Sequence, residues 1–315
     1  MSPAPPPGEA FRSGFVSLIG RPNSGKSTLL NALLGQKVAI VADKPQTTRA
    51  AVQGVLTLAG AQIVFLDTPG IHKADSPLNK RLMHTVRMAL EERDALVLVV
   101  DAARAFAPED QGAVDLAAKP GAPVILALNK IDLLQDKSRL LPLLDRYRGL
   151  FQFAAAVPIS AARGDGLHAL RQEILACLPQ GPAYFPENHV TDQPDRFLAA
   201  ELIREKILEA TRQEVPHAAA VLVDRWQDTP KLTRIYATIH VEREGQKAIV
   251  IGAGGSTLKQ IGSAARREME RLFGVHVYLD LHVRVEPGWR EQARFLDAVD
   301  WRHSSRGRTE EMPEE

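Results

Sequence analysis

Short apolar runs alternate with amphipathic patterns over the first half of the chain. The runs have the length and composition of buried strands, and helical periodicity lies between most of them. They end at Gly20, Leu58, Asp67, Val100, Leu128 and Ile159. Residues 55–58 and 62–66 flank a hairpin turn, so one edge strand should be antiparallel. The pattern predicts an α/β domain with an otherwise parallel sheet over residues 11–180.

The pattern changes at residue 178. Residues 181–195 are rich in proline and predict a partly stiff linker. Beyond it we expect a helix over 196–212, strands over 218–226 and 232–241, and an alternating strand over 247–251. A helix over 256–273, broken near Gly262, and a strand over 275–285 follow. This order, α-β-β-α-α-β, predicts a smaller α+β domain over 196–290, and residues 1–10 and 291–315 are assigned to tails.

Composition narrows the function classes only slightly. The chain has 315 residues, 45% of them hydrophobic, and a formal net charge of +1, so total charge does not point to a nucleic-acid partner. The single cysteine, Cys177, excludes internal disulfides and fits a reducing compartment, and we expect it in the core. Residues 1–8 lack the apolar core of a signal peptide, and runs such as 95–100 are too short to span a bilayer.

A glycine-rich stretch lies between the strand predicted at 15–19 and the helix predicted at 28–34. It fits G-x-x-x-x-G-K-[ST], the phosphate-binding loop, whose N–H groups surround an anion at a helix N-terminus. In such a loop Lys26 would reach the β- and γ-phosphates and Ser27 would hold Mg²⁺. The predicted phosphate site consists of Gly20, Arg21, Pro22, Asn23, Ser24, Gly25, Lys26, Ser27 and Thr28.

Three further fragments follow predicted strands and complete a guanine nucleotide site. The Asp132 carboxylate of Asn129-Lys130-Ile131-Asp132 can accept both the N1–H and the 2-amino group of guanine, and adenine offers neither donor in that arrangement. In Ser160-Ala161, the N–H of Ala161 is expected to reach guanine O6. In Asp67-Thr68-Pro69-Gly70, Asp67 would hold Mg²⁺ through water and the Gly70 N–H would sense the γ-phosphate. The loops at 43–51 and 70–79 would switch with nucleotide state.

Two hydroxyls remain candidates for the Mg²⁺ ligand of the triphosphate state, Thr47 and Thr48. Lys26 and Gly70 belong to the predicted catalytic set, together with one of these two threonines. Ile71 stands where many small GTPases have a glutamine that orients water. We therefore expect slow hydrolysis that a partner stimulates.

A second glycine loop, Gly252-Ala253-Gly254-Gly255, lies before the predicted helix at 256–273. A Gly-x-x-Gly loop before a helix matches KH domains, which clamp about four single-stranded nucleotides. A plain turn beside a solvated helix is the alternative. The predicted RNA contacts are Lys247, Ile251, Gly252, Ala253, Gly254, Gly255, Lys259 and Arg266.

Taken together, these motifs resemble the Era family of bacterial GTPases over nearly all of residues 11–300. The most specific part of the resemblance is Glu242-Arg243-Glu244-Gly245-Gln246-Lys247 followed by the glycine loop. It continues in segments outside the nucleotide motifs: Gln46-Thr47-Thr48-Arg49, Ile203-Arg204-Glu205-Lys206, Glu214-x-Pro216 and Gly288-Trp289. The family usually has a lysine inside the glycine loop, whereas this chain has Ala253 and Gly254.

The resemblance implies a fold, ligands and partners. It implies a P-loop GTPase domain followed by a type II KH domain, with GTP or GDP, Mg²⁺ and K⁺ as ligands. Asn23 matches the P-loop position associated with K⁺, and Thr48 is favoured as the Mg²⁺ ligand. The implied partners are the 3′ end of 16S ribosomal RNA and the 30S subunit. The implied location is the cytoplasm with peripheral inner-membrane association, and we expect a monomer.

Two alternatives carry different functions. One is an RNA-binding module whose nucleotide domain binds GTP without hydrolysing it; intact Lys26, Ser27, Asp67 and Asp132 argue against it. The other is a tRNA-modifying GTPase of the same superfamily. It should carry a folate-binding or cysteine-bearing helical domain, and the sequence contains no such pattern.

Overall fold

The computed structural model divides into two compact units, with the main boundary between Asp192 and Gln193. It describes residues 10–42, 44, 47–71, 76–91, 93–119, 121–211 and 215–300. Residues 1–9 of the first predicted tail, residues 43, 45, 46 and 72–75 of the predicted switch loops, and the last fifteen residues therefore lie outside the described residues.

The first unit contains a six-stranded sheet in the order β2-β3-β1-β4-β5-β6. Only the edge strand β2 is antiparallel to its neighbour among these pairs, as the hairpin pattern predicts. The strands are β1 (Arg12–Ile19), β2 (Val52–Leu58), β3 (Ala61–Asp67), β4 (Ala95–Asp101), β5 (Val124–Asn129) and β6 (Ala155–Pro158).

Helices cover both faces of this sheet, and each face has its own apolar core. They are α1 (Lys26–Leu34), α2 (Pro77–Glu91), α3 (Pro108–Ala118), α4 (Leu140–Arg148) and α5 (Leu167–Cys177). Leucines of α1 and α5 pack with one face, and α2, α3 and α4 pack with the other. Because both faces are covered, β4 and β5 are apolar at nearly every position. Cys177 is half-buried at the margin of the first core and does not lie within it.

The segment predicted as a linker packs against the first unit instead of spanning free space. The buried amide of Gln62 accepts from the N–H groups of Tyr184 and Phe185, at 2.7 and 2.9 Å, and donates to the Phe185 carbonyl. Farther along, the N–H of Val55 donates to Val190 O at 2.7 Å. We call residues 179–192 the strap.

The second unit is an α+β domain with a three-stranded sheet in the order β7-β8-β9. The strands β7 and β8 are antiparallel, and β8 and β9 are parallel. The elements are α6 (Asp195–Ala210), α7 (Val215–Ala218), β7 (Ala220–Thr229), β8 (Leu232–Val241), α8 (Glu244–Ile251), α9 (Ser256–Phe273), β9 (His276–Val285) and α10 (Ala293–Val299).

Three sequence predictions for this unit are wrong. Residues 247–251 belong to helix α8, since Gln246 Oε1 accepts from the N–H groups of Glu242 and Arg243 and fixes the start of a helix. Helix α9 runs unbroken through Gly262. The predicted C-terminal tail contains α10, whose Phe295 packs on the rings of Trp289 and His240 at 5.2 and 4.9 Å.

Candidate functional site

The phosphate-loop residues form the turn between β1 and α1. Gly25 is the left-handed residue that precedes α1, with φ 99°, and a Cβ there would meet Asn129 Nδ2 at 2.2 Å. Lys26 is buried, and its Nζ donates to the carbonyls of Gly20 and Arg21 at 3.1 and 2.9 Å. The loop therefore surrounds its own lysine, at the carboxyl end of the central strand where open sheets bind ligands. The pocket is lined by Pro22, Asn23, Gly25, Lys26, Ser27, Thr28, Thr48 and Gly70, among others.

Three oxygen-bearing side chains from different segments meet beside this loop. Ser27 Oγ donates to Asp67 Oδ2 at 2.6 Å and lies 2.8 Å from Thr48 Oγ1, which is 3.4 Å from the same carboxylate oxygen. Thr47 instead donates to the carbonyls of Ala42 and Lys44 in its own loop. The geometry thus brings Thr48, and not Thr47, to the cluster.

Asp67 and Lys26 are titratable groups whose pKa values burial shifts strongly. Burial raises the pKa of Asp67 to about 6, although the Lys26 charge and the Ser27 and Thr48 hydroxyls oppose the shift. Burial likewise lowers the pKa of Lys26 to about 8, against the attraction of Asp67. Among the described residues, buried Asp67 Oδ1 has no hydrogen-bond partner. A cation or its bound water would satisfy that oxygen.

The segment Thr68-Pro69-Gly70 follows β3 directly and is buried. Thr68 Oγ1 donates to Leu18 O at 2.9 Å, which ties this segment to β1. A Cβ on Gly70 would lie 2.9 Å from Pro22 Cα, so the two phosphate-facing segments are in close contact. Only a residue without a side chain fits at this position.

The guanine-site residues lie at the carboxyl ends of β5 and β6. Asn129 Nδ2 donates to Ser24 O at 2.9 Å, and Ser160 Oγ donates to Asp132 Oδ1 at 2.6 Å. The N–H of Ala161, expected to be available for guanine O6, donates to Asn129 Oδ1 at 3.0 Å. Contact with O6 would therefore require Ala161 to share or exchange that bond. Asn129 braces both the phosphate loop and the loop after β6.

Two carboxylates that the sequence analysis did not identify hold this site together. Lys130 Nζ contacts Asp101 Oδ2 at 2.8 Å and Asn23 O at 2.7 Å, and Lys130 has a left-handed backbone with φ 67°. Arg21 pairs with buried Asp110 at 2.8 Å, so its side chain is directed to α3. Asp101 is the last residue of β4. A carboxylate at the carboxyl end of a central strand is the sequence feature that could have identified it as a site residue.

Of the predicted RNA residues, Gly255, Lys259 and Arg266 line one groove in the second unit. Gly252 to Gly255 form the turn between α8 and α9, with Lys247 and Ile251 on α8 and Lys259 and Arg266 on α9. The groove beside the turn is lined by Gly255, Leu258, Lys259, Gly262, Ser263, Arg266, Leu279 and Leu281. It has an apolar floor from β9 and a basic wall from α9.

Comparisons with known proteins match both units. The family described as 50S ribosome-binding GTPase matches residues 15–130, and the KH domain family matches residues 214–290. A GTPase Era from Geobacter metallireducens is 50% identical over 92% of this chain and 98% of its own length. The chain belongs to the Era family of GTPases. A second Era, from Syntrophus aciditrophicus, is 49% identical over 91% of this chain and 94% of its own length.

Solved Era structures match the chain over both units. A variant of Aquifex aeolicus Era bound to GDP and AlF₄⁻ has a TM-score of 0.89 and 40% identity, covering 92% of this chain and 99% of that one. An Era bound to MgGDPNP and nucleotides 1506–1542 of 16S ribosomal RNA gives the same TM-score and identity over 92% and 98%. The predicted fold, a P-loop GTPase domain followed by a KH domain, is confirmed.

Proposed function

We propose that this Era-family GTPase is a GTP-hydrolysing switch that binds the single-stranded 3′ end of 16S ribosomal RNA through its KH domain and assists 30S subunit assembly. The observation that carries the proposal is the meeting of Ser27, Thr48 and Asp67 beside buried Lys26 in a chain that also has a Gly-x-x-Gly turn. The RNA identity is supported by the Era relative bound to nucleotides 1506–1542.

The nucleotide roles follow from chemistry. Lys26 and the loop N–H groups bind the phosphates. The lysine ammonium carries a full positive charge and the N–H groups carry partial positive charges, and both attract an anion. Asp132 accepts from guanine, while Asn129 holds the phosphate loop and the loop after β6 together. The Lys130 stem covers the base. Asp101 positions Lys130 through their 2.8 Å ion pair.

The residues present fit Mg²⁺. Asp67 has an unsatisfied buried oxygen, and the Ser27 and Thr48 hydroxyls lie within hydrogen-bonding distance of its other oxygen. Hard oxygen ligands of this kind are what Mg²⁺ takes together with nucleotide phosphates. When bound, Mg²⁺ supplies positive charge to the phosphates, and Ser27, Thr48 and Asp67 are the groups that would hold it.

Hydrolysis in this site needs charge stabilisation more than a base. Ile71 follows Gly70 and cannot orient water, so turnover should be slow until a partner binds. We include K⁺ in the proposal because Asn23 lines the pocket and matches the family position for that ion. Turnover should fall when Na⁺ replaces K⁺ at unchanged GTP binding; equal turnover in both salts would remove K⁺ from the mechanism.

The KH unit supplies the RNA contacts. The turn at Gly252 to Gly255 lets phosphates approach, while Lys247, Lys259 and Arg266 add positive charge around the apolar groove. The loop has Ala253 and Gly254 inside it, where the resemblance implies a lysine, so one fewer cation is available to a bound phosphate backbone. The expected consequence is weaker binding with a shallower dependence on salt.

The decisive experiment measures GTP turnover by the full chain in KCl. A short RNA copying the 3′ end of 16S ribosomal RNA is compared with a scrambled RNA, and Lys26→Ala is the inactive control. Turnover that rises only with the matching RNA supports an RNA-gated switch. Tight RNA binding at unchanged turnover would contradict the gating, and failure to bind the matching RNA would contradict the RNA function.

Location and assembly state belong to the same proposal. No helix among the described residues combines the length and apolar character needed to cross a bilayer. We propose a cytoplasmic monomer that associates peripherally with the inner membrane. Fractionation of cells expressing the tagged chain, with a salt wash of the membrane fraction, checks the location.

A further inference from the structure

The sheet of the second unit has an outer face opposite the groove beside the glycine turn. On β9, Leu279 and Leu281 line that groove, and because side chains alternate along a strand, Tyr278, His282 and Arg284 lie on the reverse face. The register pairs Arg234 with Tyr278 and Tyr236 with Arg225, which places all four on this outer face. We call Arg225, Arg234, Tyr236, Tyr278 and Arg284 the outer-face cluster.

Two tyrosines form the centre of the outer-face cluster. The ring centres of Tyr236 and Tyr278 are 6.1 Å apart, and the Arg225 guanidinium lies 6.0 Å from the centre of the Tyr236 ring. Tyr278 is 48% exposed, so much of its side chain is open to solvent. Paired aromatic rings on an open sheet offer surfaces on which unpaired bases stack.

The arginines of the cluster are exposed, and among the described residues none of them forms an ion pair. On α9, by contrast, Arg266 pairs with Glu270 and Arg271 with Glu268. The outer face also carries three acids: Asp224 accepts from Thr238, Asp280 lies 3.8 Å from His282, and Glu286 lies near His240. Arg225 bonds to Gln227, but none of the three arginines has a carboxylate partner among the described residues, so each can bind a phosphate beside the tyrosines.

Only the edge strand β9 separates the outer face from the groove. In the sheet order β7-β8-β9, β9 is at an edge, and it contributes side chains to both faces. Helix α10 packs at the end of the outer face near His240, where Phe295 contacts that ring. A strand that leaves the groove can therefore pass around β9 and reach Tyr278 first.

We propose that the outer-face cluster is a second RNA-binding surface, which takes the single strand continuing beyond the nucleotides held in the groove. Its tyrosines stack on bases and its arginines bind phosphates, with little preference for sequence. This inference rests on the proposed RNA function of the KH unit, and it adds a longer binding footprint to it.

The test measures Kd by fluorescence anisotropy for the full chain with two labelled RNAs. One RNA has about four nucleotides, enough for the groove, and the other has about twelve and extends beyond it. Tyr278→Ala should weaken binding of the longer RNA about 5- to 150-fold and leave the shorter one unchanged. Tyr278→Phe keeps the stacking ring and should bind the longer RNA like the wild type.

A second variant and a control separate stacking from charge and from misfolding. Arg234→Ala with Arg284→Ala changes only exposed side chains and should reduce the salt slope for the longer RNA by about 0.7 for each phosphate that is no longer neutralised. Arg139→Ala with Arg148→Ala, at two exposed arginines of the first unit, is the charge-matched control and should change binding of neither RNA. The pair at Arg234 and Arg284, the double arginine variant, tests the surface even if Tyr278→Ala does not fold.

The outcomes are distinct. Equal affinity of wild type, Tyr278→Ala and the double arginine variant for the longer RNA overturns the second surface and leaves the KH function standing. Equal losses of affinity for both RNAs also overturn it, because the side chains would then serve the groove. If the wild type binds neither RNA, the proposed RNA function itself fails and the inference fails with it.

Discussion

Asp67 is a buried carboxylate with incomplete hydrogen bonding. Two hydroxyls serve Oδ2, whereas Oδ1 has no partner among the described residues, and burial raises the pKa to about 6. Nearby Lys26 offsets part of this cost, but burial also lowers the pKa of the lysine, to about 8. The pair is therefore better suited to holding a cation and phosphates than to stabilising the fold.

Replacing Asp67 with asparagine should stabilise the metal-free protein. The folded-state pKa of about 6 lies above the ordinary 3.8, so the folded state binds this proton more tightly. Its stabilising contribution is full below pH 4 and is lost as pH rises through 6. Asp67→Asn should therefore raise the free energy of unfolding at pH 7 by about 1–3 kcal/mol, measured in urea with EDTA.

The pH dependence provides the control for that measurement. Below pH 4 both chains carry a neutral group at position 67, and the stability difference should disappear. A variant that is less stable than the wild type at pH 7 would contradict burial as the dominant cause. The same substitution should weaken Mg²⁺-dependent GTP binding, since an amide is a poorer ligand than a carboxylate.

Asp132 should determine which base the site accepts. Asparagine in its place presents an N–H₂ donor toward position 2 of the base, where guanine has a donor and xanthine an oxygen acceptor. Asp132→Asn should weaken GTP binding at least about 10²-fold and improve binding of xanthosine triphosphate. Titration with both nucleotides checks this, and ATP serves as the control; retained GTP preference would remove Asp132 from base recognition.

The limits of sequence analysis are visible at single residues. The motifs locate Lys26, Ser27, Asp67 and Asp132, because each motif encodes its own chemistry. Asp101 has no motif: it reaches Lys130 only because parallel pairing aligns it with Asn129 at the end of the neighbouring strand. The choice between Thr47 and Thr48 likewise depends on the path of a loop, which periodicity does not specify.

At the scale of elements, the turn between α8 and α9 depends on Gly252. It has φ 73°, and a Cβ there would meet Thr257 Oγ1 at 2.2 Å, whereas Gly254, with φ 58°, has open space around it. Gly252→Ala should therefore lower the thermal unfolding midpoint more than Gly254→Ala, which carries only a backbone cost of about 1 kcal/mol. Equal midpoints would show that Thr257 moves aside freely.

The same turn provides a gain-of-function test. Ala253 is exposed and lies inside the glycine loop. Ala253→Lys should tighten binding of single-stranded RNA and steepen its salt dependence by about 0.7, the value expected for one additional phosphate neutralised. Ala253→Gln, which adds length without charge, is the control. An unchanged salt slope would place the phosphates away from this turn.

Helix α8 shows why one element was assigned wrongly. Residues 247–251 alternate weakly and include β-branched side chains, which favour a strand when read alone. The helix instead begins earlier, where Gln246 satisfies the N–H groups of Glu242 and Arg243. Gln246, three residues after the N-cap residue Arg243, is the sequence feature that indicates the start of this helix. Strands β4 and β5 are predictable because they are apolar at nearly every position, and β9 because its apolar residues alternate.

At the scale of the whole molecule, the strap is the only covalent path from the first unit into α6. Two contacts anchor it to the sheet of the first unit. Gln62 on β3 accepts from the N–H groups of Tyr184 and Phe185 of the strap, and Thr191 Oγ1 of the strap donates to Gln53 O on β2 at 2.8 Å. These two strands end in, or begin after, the nucleotide-facing loops. Prolines made the segment look like a spacer, because its partners lie more than a hundred residues earlier in sequence.

Coupling between GTP and RNA should therefore weaken when the strap is released. By linkage, RNA must change GTP affinity by the same factor by which GTP changes RNA affinity. Gln62→Ala removes three hydrogen bonds to the strap, whereas Thr191→Val removes one, so the coupling factor should fall toward 1 in the first variant and less in the second. Calorimetric titration of each ligand with and without the other measures both factors. Coupling of wild-type size in a folded Gln62→Ala protein would mean that the two units communicate without this anchor.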